Sequence, residues 1–339
     1  MTPLPARLLG VDLGGTKALC GLFEPASRPD SAPVPVIESR LPCADFDGLE
    51  PLLEAFASQA RAAGVRCAPE AACIALAGPV EGESGRLTNL PWSVDARTIA
   101  AMLGGARVRL ANDFEAAAVG IESLGATQLR SLQPGQPLAD RPRAVIGPGT
   151  GLGVALLVPQ GGEWRVLPGE GGHLGFAPRS ELEVDLWRAL HAIEPRVDYE
   201  RVVCGPGLKA IYRFLRERSG LDARGGAMAA PDPAAAIAET AGGDPVAAQA
   251  LDLFASVFGA CAGDLALLAN ARGGVYLAGG IAPKVFDARR QVLFLQAFAD
   301  KGSHARLMAA MPVSLVLEPR RGLLGAVSIA ARSLGADRG

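Results

Sequence analysis

The hydrophobic and polar positions of this chain follow the order strand, strand, strand, helix, strand, helix, and this order begins twice. Short apolar runs predict the strands, and apolar residues at helical spacing predict the amphipathic helices between them. In the first half the predicted strands are 8–12, 18–23, 34–40, 72–76 and 108–111, and the predicted helices are 49–63 and 94–103.

The second half begins with a helix at 114–124 and a Pro-rich loop at 133–142, after which the strand pattern starts again. Its predicted strands are 144–146, 154–158, 163–167 and 274–278, and its predicted helices are 181–192, 206–218, 233–241, 245–268 and 323–334. A chain of 339 residues is long for one core and natural for two. We therefore expect an α/β protein with a small N-terminal lobe, residues 1–111 and 320–339, closed by the C-terminal helix, and a large lobe, residues 112–319.

Composition adds no bias toward a charged partner. The chain is 49% hydrophobic and 20% charged, with 33 basic and 35 acidic residues, so we expect no nucleic-acid partner. The six cysteines lack metal-ligand spacing and suggest buried apolar residues in a reducing compartment. The N-terminus carries no signal-peptide core, and no apolar stretch reaches the length of a membrane span. We expect a cytoplasmic protein without a membrane partner.

Two glycine-rich turns, one in each half, are the candidate phosphate-binding elements. Each follows an apolar strand and leads into another, and glycine allows successive N–H groups to approach an anion closely. An ordinary hairpin turn is the alternative for either turn taken alone. No Gly-Lys dipeptide occurs, which excludes the P-loop pattern. The turn residues are Gly14, Gly15, Thr16, Lys17, Gly149, Thr150 and Gly151, with Asp12 at the strand end before the first turn.

Asn112 and Asp113 follow the predicted strand 108–111 and precede a helix. Ligands of open α/β sheets bind at the carboxyl ends of strands, where a carboxylate can accept the proton of an attacking hydroxyl. Phosphoryl transfer to an alcohol needs such a base together with donors to the phosphate. The alternative is that Asp113 only caps the helix.

The segment 167–173 presents Glu170 and His173 on a chain too rich in glycine to form a stable helix or strand. Buried sugar hydroxyls need carboxylate, amide and imidazole partners of this kind. Asn89 and Glu200 are further candidates. The alternatives are a solvated loop acid for Glu170, a structural histidine for His173, turn chemistry for Asn89 and a helix-surface acid for Glu200.

Six motifs in this order resemble those of bacterial glucokinases. They are Asp-Leu-Gly-Gly-Thr at 12–16, Asn-Asp-Phe at 112–114, Gly-Thr-Gly-Leu-Gly at 149–153, the segment 167–173, Gly-Pro-Gly-Leu at 205–208 and Ala-Gly-Gly-Ile at 278–281. That family consists of ATP-dependent hexose kinases of the actin-like, ribonuclease-H-like superfamily. The resemblance implies two ribonuclease-H-like lobes with a central cleft, and a homodimer that phosphorylates glucose.

The resemblance also implies a role for each matching residue. Asp113 matches the base that takes the proton of the sugar 6-hydroxyl, and Asp12 matches the aspartate near Mg²⁺, which it contacts through water. The two glycine turns match the phosphate-binding turns. The residues that match the remaining sugar and adenosine contacts are Asn89, Asn112, Glu170, His173 and Glu200 for the sugar, and Gly279 and Gly280 for adenosine.

Two departures from that family bear on specificity. Lys17 stands where many members carry Asn. The sequence Gly-Gly-Thr-Lys is typical of the neighbouring family of repressors and sugar kinases. That neighbour carries a Cys-x-Cys zinc motif after its sugar-binding His, whereas no cysteine lies between Cys73 and Cys204 here. Leu174 and Gly175 replace a more polar pair, which leaves mannose, fructose or an N-acetyl hexosamine as alternative substrates.

Three other classes of protein are weaker alternatives. A sugar-sensing repressor would carry a helix-turn-helix before the first turn, where few residues are available. An actin-like nucleotide switch would share the turns and have no use for the sugar-binding residues. The segment 205–210 fits the GxGxxA pattern of dinucleotide-binding proteins and lacks the required βαβ context.

Overall fold

The computed structural model describes residues 7–25, 33–161 and 163–335, which fall into two compact units. Unit 1 runs to Gly125 and resumes at Glu318, and unit 2 is Ala126–Leu317. The first boundary therefore lies after Gly125, whereas the sequence placed it after residue 111.

The strands of unit 1 are β1 (Leu8–Leu13), β2 (Lys17–Glu24), β3 (Val34–Pro42), β4 (Ala71–Leu76), β5 (Val80–Glu81), β6 (Ser84–Arg86), β7 (Ser93–Asp95) and β8 (Arg107–Asn112). Its α-helices are α1 (Leu49–Ala62), α2 (Ala96–Met102), α3 (Asp113–Gly120) and, near the C-terminus, α11 (Arg321–Gly335). Five strands form the main sheet in the order β3-β2-β1-β4-β8, and β5, β6 and β7 form a small separate sheet.

Close packing of α3 on α11 explains the position of the boundary. A Cβ atom at Gly325 of α11 would lie 1.7 Å from the carbonyl oxygen of Ala116, and one at Gly120 would lie 2.0 Å from that of Arg321. Helix backbones come this close only where side chains are absent. The helix that carries Asp113 therefore packs within unit 1.

The centre of the unit 1 sheet is apolar on both faces, as expected for parallel strands covered by helices. Strand β1 pairs in parallel with β4, and β4 pairs in parallel with β8, whereas β2 and β3 are antiparallel. All six residues of β4 are buried. A Cβ atom at Gly10 would lie 2.6 Å from Cγ2 of Val327, so α11 lies directly on β1.

The strands of unit 2 are β9 (Leu129–Gln133), β10 (Arg143–Pro148), β11 (Leu152–Gln160), β12 (Glu163–Gly169), β13 (Gly274–Leu277) and β14 (Val313–Val316). Its α-helices are α4 (Glu181–His191), α5 (Gly205–Arg218), α6 (Pro233–Thr240), α7 (Pro245–Ala269), α8 (Ala282–Val285), α9 (Ala288–Ala299) and α10 (Ala305–Ala309). The sequence analysis predicted no helix or strand between 279 and 322, where α8, α9, α10 and β14 lie.

The unit 2 sheet repeats the arrangement of the unit 1 sheet. Its order is β12-β11-β10-β13-β14-β9, with β10 antiparallel to β11 and parallel to β13. The first five strands of this order correspond to β3-β2-β1-β4-β8, and β9 adds an antiparallel edge. This repetition confirms the predicted fold class of two ribonuclease-H-like lobes.

Helix α7 is the core helix of unit 2. Within the described ranges it is the one helix long and apolar enough to pass a test for a membrane span, and 72% of its most apolar window is buried. A Cβ atom at Gly259 would lie 2.1 Å from the carbonyl oxygen of Phe294 in α9. The apolar length of α7 is therefore accounted for by packing inside this unit.

Candidate functional site

The first glycine turn joins β1 to β2 at the end of the unit 1 sheet. Leu13 pairs with Ala18, and the N–H of Gly14 donates to the carbonyl oxygen of Lys17 at 3.0 Å. A Cβ atom at Gly15 would lie 3.0 Å from Cβ of Asn89, so Asn89 lies against this turn. The side chains of Thr16 and Lys17 are exposed. The glycine turn, the exposed side chains of Thr16 and Lys17, and Asn89 thus come together at this end of the sheet.

Asp12 lies in β1 beside the start of α11. A Cβ atom at Gly322 would lie 2.5 Å from Oδ2 of Asp12, so only a glycine fits there without displacing the carboxylate. The pKa of Asp12 is raised to about 6, chiefly by burial and then by the nearby charge of Asp113, while the charges of Arg321 and Lys17 oppose the rise. The two carboxylates therefore interact within unit 1.

Asn112 is the N-cap of α3. Its Oδ1 atom accepts hydrogen bonds from the N–H groups of Phe114 at 2.9 Å and Glu115 at 3.3 Å, and its amide donates to the carbonyl oxygen of Gly78 at 3.2 Å. The alternative that Asp113 caps this helix is wrong, because the neighbouring amide has that role. Asp113 occupies the first position inside the helix.

Asp113 is a partly buried carboxylate whose protonation is shifted by its surroundings. Its Oδ1 atom accepts a hydrogen bond from the N–H of Phe114 at 2.8 Å. Burial raises the pKa of Asp113, while that hydrogen bond and the charge of Arg321 act in the opposite direction. A carboxylate held in this way keeps a fixed orientation and gains basicity.

Arg321 is a residue of this site that the sequence analysis did not identify, and it lies in the turn sequence Pro-Arg-Arg-Gly at 319–322. It begins α11, and its Nη1 atom donates to the carbonyl oxygen of Glu318 at 3.3 Å. Burial lowers the pKa of Arg321, whereas Asp12, Glu318 and Asp113 raise it. Its Nε atom is buried without a hydrogen-bond partner among the described residues. Arg321 directly precedes the sequence Gly-Leu-Leu-Gly at 322–325, and this position was the available signal.

The second glycine turn joins β10 to β11 in unit 2. Pro148 pairs with Leu152, and the N–H of Gly149 donates to the carbonyl oxygen of Gly151 at 2.8 Å. The N–H of Gly205, at the start of α5, donates to the carbonyl oxygen of Gly149 at 2.9 Å. The Thr150 side chain is exposed. The backbone of this turn is thus held from two directions.

Gly279 and Gly280 follow β13 beside the second turn. Gly279 has a φ angle of +90°, and a Cβ atom there would lie 2.3 Å from the carbonyl oxygen of Pro148. No other residue fits that backbone without strain. A Cβ atom at Gly149 or Gly280, by contrast, would meet no described atom within 4 Å. These two glycines therefore border open space, in which a ligand could approach the backbone.

Glu200 connects the second turn to the segment that carries Glu170 and His173. Its Oε2 atom accepts a hydrogen bond from the N–H of Leu152 at 2.7 Å, and a Cβ atom at Gly151 would lie 2.5 Å from the same oxygen. Its own N–H donates to the carbonyl oxygen of Gly172 at 2.9 Å. Glu200 precedes α5, so the alternative of a helix-surface acid is wrong.

Glu170 directly precedes a short 3-10 helix, Gly171–His173, and His173 is the last residue of that helix. The Glu170 side chain is 92% exposed, and its Oε2 atom lies 3.9 Å from Nε2 of His173. The other ring nitrogen, Nδ1, lies 3.0 Å from Oδ2 of Asp198. This hydrogen bond is the main cause that raises the pKa of His173, with further contributions from Glu200 and Glu170. Asp198 was missed by the sequence analysis.

The predicted site residues form two groups, one in each unit. Unit 1 brings together Asp12, Gly14, Gly15, Thr16, Lys17, Asn89, Asn112 and Asp113, and unit 2 brings together Gly149, Thr150, Gly151, Glu170, His173, Glu200, Gly279 and Gly280. No cluster of three or more metal-ligating side chains occurs in the part of the chain that the structure describes.

Duplicated sheets of this order, each with a glycine turn at its first hairpin, are the architecture of the actin-like ATPase fold, to which sugar kinases belong. The glucokinase family model matches residues 9–333. The glucokinase of Nostoc sp. (strain PCC 7120) is 40% identical, and the match covers 96% of this chain and 99% of that one. This chain belongs to the glucokinase family.

Solved structures agree with that assignment. The glucokinase of an Antarctic psychrotroph has a TM-score of 0.85 and 30% identity, covering 97% of this chain and 100% of that chain. The glucokinase of Balamuthia mandrillaris in complex with glucose has a TM-score of 0.76 and 22% identity, covering 96% of this chain and 94% of that chain. At that identity the second structure supports the fold alone.

Proposed function

We propose that this chain phosphorylates D-glucose at the 6-hydroxyl, with ATP as the phosphoryl donor. Membership of the glucokinase family supports this reaction and ATP as co-substrate. The observation that carries it is the carboxylate pair of Asp12 and Asp113, placed with a glycine turn in unit 1. A positioned base and phosphate donors are the parts that phosphoryl transfer requires.

Asp113 is the proposed general base. Its raised pKa strengthens its affinity for a proton, and the hydrogen bond from Phe114 fixes one oxygen. In the reaction the sugar oxygen forms a bond to the γ-phosphorus of ATP, the bond between that phosphorus and the β–γ bridging oxygen breaks, and the hydroxyl proton passes to Asp113. The transfer is direct and forms no covalent phosphoenzyme.

The other sugar hydroxyls are proposed to bind to Asn89, Asn112, Glu170, His173 and Glu200. Asn112 donates one amide hydrogen to Gly78 and holds the start of α3 with its oxygen, which leaves its second amide hydrogen for a hydroxyl. Glu200 uses Oε2 for Leu152 and keeps Oε1 for the sugar. Glu170 and His173 are exposed. The Glu170 carboxylate can accept hydrogen bonds from a hydroxyl, and the His173 ring can accept or donate one.

ATP is proposed to bind through the two glycine turns, with Lys17 and Thr16 beside its phosphates and Gly279 and Gly280 beneath adenosine. The open space at Gly149 and Gly280 supports close approach of a ligand to the backbone. These backbone N–H groups would hold the phosphates while the turns themselves stay fixed by their internal hydrogen bonds.

Mg²⁺ is the proposed metal, with Asp12 as its protein partner through water. The residues present fit this ion, because Mg²⁺ keeps most of its waters and needs only one or two carboxylates in addition to substrate phosphates. Bound there, Mg²⁺ would neutralise charge on the phosphates. Asp12 has a pKa of about 6 and therefore offers a carboxylate at neutral pH.

The experiment is an ADP-release assay of the full chain with ATP and Mg²⁺ across glucose, mannose, fructose and N-acetylglucosamine. We expect the highest kcat/KM with glucose and little ADP release without sugar. A higher kcat/KM for another hexose would favour the alternative of a kinase for that sugar. ADP release that does not depend on sugar would instead indicate an actin-like nucleotide switch.

A cytoplasmic homodimer completes the proposal. The resemblance to bacterial glucokinases supports both points. Light scattering coupled to size-exclusion chromatography tests the assembly, and fractionation of the source cells tests the location. A single species of 34.8 kDa would contradict the dimer.

A further inference from the structure

Asp198 is a buried carboxylate two residues before Glu200. It is 8% exposed, and both of its oxygens are engaged. Oδ2 lies 3.0 Å from Nδ1 of His173, and Oδ1 accepts a hydrogen bond from the N–H of Arg201 at 3.1 Å. A buried carboxylate is stabilised only where such donors surround it. Asp198 and His173 therefore depend on each other.

The contact with Asp198 fixes which nitrogen of His173 carries the proton. A carboxylate only accepts hydrogen bonds, so the Nδ1 atom, 3.0 Å away, must be the donor. When the ring is neutral, Nε2 is then the unprotonated nitrogen. Nε2 lies on the side of Glu170, 3.9 Å from its Oε2 atom. The nitrogen that remains for a ligand is thus the one beside the exposed glutamate.

The backbone holds this pair in place. Residues 172–176 and 197–200 run antiparallel, and the carbonyl oxygen of His173 accepts a hydrogen bond from the guanidinium of Arg196 at 2.9 Å. The hydrogen bonds of this short ladder run from Phe176 N–H to Val197, from Tyr199 N–H to Leu174 and from Glu200 N–H to Gly172, at 2.9–3.1 Å. His173, Asp198 and Glu200 consequently share one rigid frame.

We propose that Asp198 is a positioning residue for hexose binding, which holds His173 with Nδ1 protonated and leaves Nε2 for a sugar hydroxyl. The inference rests on the proposed role of His173 in binding the hexose. Nε2 accepts a hydrogen bond when the ring is neutral and donates one when it is protonated. The charged groups facing the ring are Asp198, Glu200 and Glu170, and Arg196 lies at its backbone carbonyl.

Two variants separate the orientation of the ring from the charge beside it. Asp198→Ser keeps an oxygen that can accept from Arg201 and removes the partner of His173. Asp198→Asn keeps an oxygen near Nδ1 and removes the charge. We expect Asp198→Ser to raise the KM for glucose about tenfold, as for loss of a charge-assisted hydrogen bond, with the KM for ATP and kcat nearly unchanged. Asp198→Asn should raise it less.

The matched control is Asp185→Asn. Asp185 lies in α4 of the same unit and pairs with Arg188 and Arg218 at the surface. This variant also removes one carboxylate from unit 2, and we expect it to leave the KM for glucose unchanged. An equal rise of KM in the control and in Asp198→Ser would overturn the proposal.

Nitrogen NMR of the histidine side chains tests the tautomer without any activity. The chain has three histidines, and the variants His191→Gln and His304→Gln assign the signal of His173. We expect Nδ1 to carry the proton in the neutral form and the titration midpoint to lie above 6.5. In Asp198→Ser, Nε2 should carry the proton and the midpoint should fall.

A wild-type spectrum with the proton of neutral His173 on Nε2 would overturn the proposal. So would an Asp198→Ser variant in which kcat and both KM values deteriorate together, because that pattern marks a structural role. If the wild-type chain phosphorylated no hexose, the proposed function would fail, and the spectrum would still show whether Asp198 sets the tautomer.

Discussion

The two glycine turns occupy equivalent places in two similar sheets, and their surroundings differ. The first turn shares unit 1 with two partly buried carboxylates, Asp12 and Asp113, and the partly buried cation Arg321. The second turn shares unit 2 with Glu200, which accepts a backbone hydrogen bond, and with an exposed glutamate, Glu170. The same sheet architecture thus carries partly buried charges in unit 1. In unit 2 it carries carboxylates that are solvated or hydrogen-bonded to the backbone.

This difference suggests a division of labour. Removing charge from water shifts the pKa of a carboxylate and suits it to proton transfer. Carboxylates that stay solvated or accept backbone hydrogen bonds are suited to hold hydroxyl groups with little reorganisation. We therefore expect substitution of the unit 1 carboxylates, Asp12 and Asp113, to affect turnover, and substitution of the unit 2 glutamates, Glu170 and Glu200, to affect binding of sugar.

The largest expected effect is that of Asp113→Ala on turnover. Removing the base should lower kcat for glucose by roughly 10²-fold or more, while the dissociation constant of glucose, measured by calorimetry, changes little. Glu115→Gln, two residues along α3, is the control and should keep near-normal kcat. Near-normal turnover in Asp113→Ala would remove Asp113 from the role of base.

Glu170→Gln is the complementary test in unit 2. Loss of a charged acceptor should raise the dissociation constant of glucose about tenfold and leave that of ATP unchanged. Calorimetric titration with each ligand measures both. Glu181→Gln, an exposed glutamate at the start of α4, is the matched control. Equal weakening of both ligands would point to a structural role for Glu170.

The smallest expected effect is a gain in stability from Asp12→Asn. The pKa of Asp12 is about 6 in the folded chain against 3.8 as its ordinary value, so between these values the folded state binds more protons. Stability therefore falls as pH rises from about 4 to 6 and stays lower above it. At pH 7.5, with EDTA and no ligand, the variant should melt about 2–4 °C higher than wild type.

That gain should shrink as the pH is lowered toward 4, because Asp12 is then protonated in the folded state and no longer places a charge there. Thermal melts at the two pH values measure the difference. Asp47→Asn, an exposed carboxylate of the same unit, should show no such dependence. If Asp12→Asn melted lower than wild type at pH 7.5, the ionised carboxylate would be a stabilising partner of Arg321, and the division of labour would fail in unit 1.

Local patterns predicted the elements that carry the glycine turns. The apolar runs at 8–12 and 18–23 became β1 and β2, and 72–76 lies within β4, because buried strands are nearly continuous apolar segments. The predicted helix at 94–103 began too early, because Ser93–Asp95 is the last strand of the small sheet and α2 begins at Ala96. The edge strand β9 was not predicted, because edge strands lack a strong apolar pattern.

The same limit applies to the site. Asp113, Glu170, His173 and the glycine turns stand in local contexts that the sequence displays. The sequence around Asp198 contains no motif that marks it as a site residue, because its importance comes from a contact with His173, 25 residues earlier. Arg321 stands in a turn motif and gains its electrostatic role only because packing of α11 on β1 and α3 brings it to Asp12 and Asp113.

The sequence by itself determined the first strands of each half, the duplication and the two turns, because these follow from the spacing of apolar residues and glycines along the chain. The tertiary structure alone decided that Asn112 caps α3 and that Gly322 leaves room for the Asp12 carboxylate. It also decided that Asp198 contacts Nδ1 of His173. Burial and contacts between distant segments fix protonation and orientation, and neither property is written in a local pattern.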